Sequence, residues 1–134
     1  MIERGVIQRI TPAGVPEPRG PYSPAVRAGG FIFVAGQGPI DAATNQYSFG
    51  DIGHETRLVL TNIQHILEGC GASMADVVKC SVFLLDGRDF AAMNEVYAEF
   101  FGQHKPARTT VETRFANPQM KVEIDCIAYK PEIE

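Results

Sequence analysis

An α+β fold, a two-layer sandwich in which two helices pack on one face of a mixed sheet, is predicted by three observations. Strand-like and helix-like patterns run in the order strand, strand, strand, helix, strand, helix, strand, strand, which suits helices gathered on one side of a sheet. Two stretches repeat apolar residues at three- and four-residue spacing between helix start and stop signals. The final apolar run instead alternates with period two, so that one of its faces is buried and the other is not.

Residues 5–10 read as a first short strand, and the Pro- and Gly-rich stretch 11–24 as a surface loop whose prolines forbid regular pairing. Residues 25–28 and 31–35 flank Gly29-Gly30, a pair able to take positive φ at both turn positions, and so predict a hairpin. Ile52, Thr56, Val59, Ile63, Ile66, Leu67 and Cys70 mark one face of a helix that Asp51 can cap and Gly71 can end in left-handed conformation. Residues 76–85, rich in valine and bounded by Asp86-Gly87, predict a central strand. Phe90, Met93, Tyr97 and Phe100 mark one face of a second helix, with Asp89 near its start and Gly102 at its stop. Strands over 105–113 and 121–129 complete the chain.

At 134 residues and 45% hydrophobic composition, the chain has the size and core of one domain spanning 1–134. Its net charge of −4 provides no cationic field, which argues against a nucleic-acid partner. The mixed charge of residues 1–5 and the short apolar stretch after them do not form a signal peptide, and no run has membrane-spanning length. Three cysteines are too few for a disulfide framework, and their odd number predicts a reducing cytoplasm.

His54 and His65 share the first helix but stand about 16 Å apart at the usual rise, and His104 lies beyond the second helix. No metal site is expected from them. Cys70, Cys80 and Cys126 fall where small apolar residues are buried, and no histidine stands beside any of them as a base. Nucleophile elbows, phosphate loops and dinucleotide fingerprints are missing, so no cofactor is expected. Gly36-Gln37-Gly38-Pro39 reads first as a turn, with backbone contact to a ligand as the functional alternative. Tyr22, between Pro21 and Ser23, reads first as a loop anchor with its hydroxyl in water.

Arg108 and Glu123 are the most informative pair. Alternation sets Glu123 opposite Val122, Ile124, Cys126 and Ala128, and Arg108 opposite Ala107, Thr109 and Val111. If the two strands pair, the charges converge on the face away from the core, where a guanidinium fork suits a small carboxylate. The plain alternative is the solvated face of a half-buried sheet.

Three segments, Gly20-Pro21-Tyr22-Ser23-Pro24, Val34-Ala35-Gly36-Gln37-Gly38-Pro39 and Pro106-Ala107-Arg108 with Val122-Glu123-Ile124, resemble the RidA/YjgF/YER057c/UK114 family in order and spacing, nearly end to end. The resemblance implies a chorismate-mutase-like fold, a homotrimer with ligand clefts between subunits, and an enamine/imine deaminase. Such an enzyme hydrolyses the reactive 2-imino acids released by pyridoxal-phosphate enzymes, such as 2-iminobutyrate and 2-iminopropionate, to 2-keto acids and ammonia. Carried over, Arg108 binds the substrate carboxylate, Glu123 orients or activates water, and Tyr22 with the backbone at Ala35 and Gly36 completes the cleft. Thr110, in the same substrate pocket, stands where family deaminases often have Cys. Thr109, the turn Phe115-Ala116-Asn117-Pro118 and Pro24 also depart from the pattern, which leaves substrate size open. The alternatives are a non-catalytic trimer that binds 2-keto acids and, more remotely, a ribonuclease that inhibits translation.

Overall fold

The computed structural model describes residues 6–132. Strand β1 (Ile7–Ile10) precedes a hairpin of β2 (Ala25–Ala28) and β3 (Phe31–Gln37), and a small hairpin of β4 (Ile40–Asp41) and β5 (Gln46–Tyr47) leads to helix α1 (Ile52–Gly69). Strand β6 (Val77–Leu84), helix α2 (Phe90–Phe101), β7 (Ala107–Glu112) and β8 (Val122–Tyr129) follow. All the expected elements form, although position 5 of the first expected strand lies outside the described residues. The β4–β5 hairpin was not expected, because two residues per strand are too few to show a period.

Local signals act mostly as expected. The Asp51 side chain accepts the His54 N–H at 2.8 Å, and Gly71 takes a φ of +83° just past the end of α1. In the β2–β3 turn only Gly29 has positive φ. Gly30 is required for space instead, since a Cβ there would lie 2.9 Å from the Tyr129 ring. Helix α2 buries Met93, Val96, Tyr97 and Phe101 rather than the expected stripe through Phe90 and Phe100. Phe90 is 46% exposed at the first turn, and the helical period from Met93 reaches Phe101.

The main sheet has the order β1-β2-β3-β8-β6-β7. Its pairs are antiparallel except β6–β7, which is parallel and is bridged by α2. Both helices cover one face. There Leu60, Ile63, Ile66 and Leu67 of α1 are fully buried with Val82, Val122 and Ile124 of the sheet, each large aliphatic side chain contributing about 1.5–3 kcal/mol. No helix of the described residues is long and apolar enough to cross a membrane.

The other face is uncovered and partly apolar. Ile7, Phe31, Phe33, Val111 and Tyr129 are all exposed there, and the Phe31 ring sits 5.0 Å from that of Tyr129. Strand order also overturns one expectation: β7 and β8 do not pair, because β6 lies between them. The parallel crossover through α2 places β7 on the far side of β6, a long-range outcome that alternation within each strand does not reveal.

Two buried charges tie the elements together. Arg27, 3% exposed, donates to the carbonyls of Cys70 at 2.9 Å and Lys130 at 2.7 Å. Glu55, fully buried in α1, accepts the N–H of Gly50 at 3.1 Å and of Lys121 at 2.8 Å, with the Lys121 ammonium at 3.5 Å. That carboxylate thereby fixes the approach to α1 against the entry to β8, two residues before Glu123.

Candidate functional site

Glu123 owes its setting to an irregularity in β3. Val34 registers with Cys126 and Gln37 with Ile124, so three steps along β3 match two along β8, and the extra residue forms a bulge at Ala35-Gly36. Asp125 stands opposite this bulge, and the Glu123 side chain reaches over Gly36. A Cβ on Gly36 would sit 2.5 Å from Glu123 Oε2, so glycine is required here for close approach. The Ala35 N–H donates to the Pro24 carbonyl at 2.9 Å, and the buried Gln37 side chain donates to the Ala35 carbonyl at 3.0 Å. Ala35 therefore braces the loop, and of the two expected backbone contacts Gly36 is the one on the cavity lining.

Tyr22 comes to the same place from the 11–24 loop. It is 48% exposed, and its hydroxyl accepts the Arg19 N–H at 3.1 Å. Tyr22, Gly36 and Glu123 line a cavity of about 100 Å³ together with Arg19, Gln37 and Tyr47. Burial raises the Glu123 pKa above the usual carboxylate range, and the nearby Asp125 charge raises it further. No cation pairs with Glu123 among the described residues. A half-buried carboxylate with raised affinity for a proton, set over open backbone, is suited to accept a proton from a bound molecule.

Arg108 lies elsewhere. It registers with Cys80 across the parallel β6–β7 pair, and Cys80 faces the helices, so Arg108 projects to the helix side at the edge of the sheet. Its guanidinium carbon is 4.7 Å from the Tyr97 ring centroid and 5.5 Å from that of Phe90, within the range of cation–π attraction. Thr110, two residues on, shares this face beside Val82. No carboxylate pairs with Arg108 among the described residues. Nearby on α2, Tyr97 Oη and Asn94 Oδ1 are buried without a hydrogen-bond partner. Burial holds the Tyr97 hydroxyl strongly in its protonated form.

Within one chain, then, the expected convergence of Arg108 and Glu123 does not occur. They occupy opposite faces of the sheet and are separated by β6. Each has its own neighbours: Thr110 accompanies Arg108, while Tyr22, Ala35 and Gly36 accompany Glu123. Phe90 and Tyr97 were read from the sequence as core residues only, Gln37 only as part of the turn 36–39, and Asn94, Arg19 and Tyr47 were not singled out. An aromatic at the very start of a helix is a weak signal for exposure; the other four carry no periodic signal at all.

Of the remaining candidates, Cys80 adjoins Arg108 directly, while Cys126 and His54 stand apart from it. Cys80 and Cys126 face one another across β6 and β8, and burial pushes both thiols up, which suppresses the nucleophilic thiolate. His54 bonds locally to Ser48, with Nε2 3.0 Å from Oγ. Among the described residues no three His, Cys, Asp or Glu side chains gather as a metal site would require.

Compared with known proteins, residues 13–130 match the family model described as endoribonuclease L-PSP. A RutC family protein of Pyrococcus horikoshii is 54% identical over 115 residues, covering 86% of this chain and 91% of that one. The 3-aminoacrylate deaminase RutC of Acinetobacter baylyi is 39% identical over 120 residues, 90% of this chain and 95% of its own. Among solved structures, E. coli TdcF with bound serine superposes with a TM-score of 0.85 at 35% identity, covering 92% of this chain and 98% of that one.

Proposed function

Since the chain belongs to the endoribonuclease L-PSP family, which takes in the RutC and RidA proteins, we propose that it is an imine deaminase whose site is shared between protomers of a homotrimer. The carrying observation is that Arg108 and Glu123 each sit at a half-built site, on opposite faces of the sheet, with no partner of opposite charge among the described residues. The exposed apolar residues around Phe31 and Tyr129 offer a surface for the contact between copies. The deaminase name of one relative and the serine bound to another support a small amino-acid-like substrate.

In the proposed reaction, Arg108 of one protomer binds the carboxylate of a 2-imino acid bidentately. Glu123 of its neighbour takes a proton from water as the water oxygen bonds to the carbon of the protonated imine, whose π electrons move to nitrogen and leave a neutral amine. The proton on Glu123 then passes to the amine of the resulting carbinolamine. As the C–N bond breaks and ammonia leaves, Glu123, now deprotonated, takes the hydroxyl proton, and the carbonyl of the 2-keto acid forms. Tyr22 closes the cavity beside Glu123, Gly36 leaves room for the carboxylate to approach, and Thr110 sits next to the clamp. The imine is itself the electrophile, so positioning provides most of the rate. 2-Iminobutyrate and 2-iminopropionate are the proposed substrates.

Subunit complementation tests this reading. Arg108→Lys and Glu123→Gln chains, each strongly impaired alone in a semicarbazide-competition assay on imines made in situ, regain activity when unfolded and refolded together, because some clefts then receive both native residues. No recovery in mixed trimers sinks the shared site. Parent turnover no faster than buffer, with 2-keto acid binding retained, favours a binding module instead.

A further inference from the structure

Arg19 places a guanidinium on the lining of the Glu123 cavity, and the hydrolysis proposed above leaves it without a task. Its guanidinium carbon stacks 4.7 Å from the centroid of the Tyr47 ring, and one Nη donates to the Asn45 carbonyl. Those contacts hold the plane of the exposed fork and leave most of its N–H donors facing solvent, with no acceptor among the described residues. It joins none of the ion pairs among the described residues. Glu17, on the same cavity lining, turns to Asn45 instead: its N–H donates to Asn45 Oδ1 at 3.1 Å, and the Asn45 amide donates to its carboxylate at 3.5 Å. The fork is thus oriented by an aromatic face and a carbonyl, beside a carboxylate that binds elsewhere.

We propose that Arg19 binds a second carboxylate of the substrate, so that the preferred imine is a short 2-imino diacid. This rests on the imine-hydrolysis reading. The diacid's first carboxylate lies on Arg108 of the neighbouring protomer, its imine carbon faces Glu123, and its distal carboxylate meets the fork over Tyr47. A monocarboxylic imine leaves that fork empty. A doubly charged distal group such as a phosphate is disfavoured, because Glu17 and Glu123 line the same small cavity and repel it more strongly. The guanidinium loses little freedom on binding, since stacking already fixes its plane, and planar two-point recognition suits a carboxylate.

The test compares 2-iminosuccinate, made in situ from aspartate by an aspartate oxidase, with 2-iminopropionate, made from alanine by an amino-acid oxidase. Both are followed by loss of semicarbazone formation. The parent enzyme is expected to favour the diacid in kcat/KM by about tenfold, and Arg19→Gln to abolish that preference, mainly through KM. Arg19→Lys, which keeps the charge without the fork, retains part of it. Equal losses on both imines in Arg19→Gln would mark Arg19 as a loop anchor and overturn the assignment. Activity on 2-iminopropionate with no diacid preference also overturns it and leaves the hydrolysis reading intact. Activity on neither imine overturns both.

Discussion

Arg108 lies at the rim of the helix face, gripped by two aromatic rings, whereas Glu123 lies on the opposite face across the bare backbone of a bulge. The two charges meet opposite surroundings. The quadrupole of a ring attracts a cation, so the two rings attract the Arg108 guanidinium. The setting of Glu123 works against its charge, through desolvation and the proximity of Asp125. A binding group should keep its charge at all times, but a proton carrier should be able to lose it. The contrast between the two regions is the contrast required of a clamp and a base.

The largest effect that can break this comparison is on the base. Glu123→Gln is expected to lower kcat by about 10³-fold while carboxylate binding, read by calorimetry with a 2-keto acid, persists, because the amide keeps the shape but takes no proton. Undiminished turnover would return Glu123 to a structural role. Next comes the clamp: Arg108→Lys is expected to reduce kcat/KM by about 10²-fold and to weaken keto-acid binding as well, since an ammonium retains charge but not the two-pronged aim. If only one of the two readouts falls, clamp and base are not divided between these residues as described.

The smallest effect concerns stability. Because the folded pKa of Glu123 is raised, the folded state binds more protons than the unfolded state between the ordinary glutamate pKa and the raised one. The penalty on folding is therefore absent at low pH, grows as pH rises through that window and is complete above it. Glu123→Gln removes the penalty, so its Tm should exceed that of the parent by about 1–2 °C at neutral pH, discounted for partial exposure, and by nothing near pH 4. A melting series in which the variant's Tm advantage over the parent is no larger at neutral pH than at pH 4 contradicts the buried-charge account.

Much of the fold was legible in the sequence because its signals are local. The spacing from Ile52 to Leu67, the Asp51 cap and the alternation from Val122 to Ala128 each depend on neighbours a few residues away, and the structure keeps them all. Strand order was not legible. Whether β7 lies beside β8 or beyond β6 is decided by how α2 crosses the sheet, and that crossing sets which face Arg108 occupies. The bulge at Ala35-Gly36 escaped notice for a similar reason, since it exists only in the register between β3 and β8. Phe90 and Tyr97 were visible as apolar helix positions, but their rings over Arg108 depend on the same crossing.

The pairing of β3 with β8 also gives the two regions different histories during folding. Arg108 meets Tyr97 within the β6-α2-β7 unit, whose parts adjoin in sequence and close over a short loop. Glu123 reaches Gly36 only when strands separated by most of the chain's length come into register, a closure that costs more entropy and forms slowly. The aromatic grip on Arg108 is thus available to an incompletely folded chain, while the Glu123 cavity exists only once the distant strands have met. A collapsed chain can display the first region without any of the chemistry of the second.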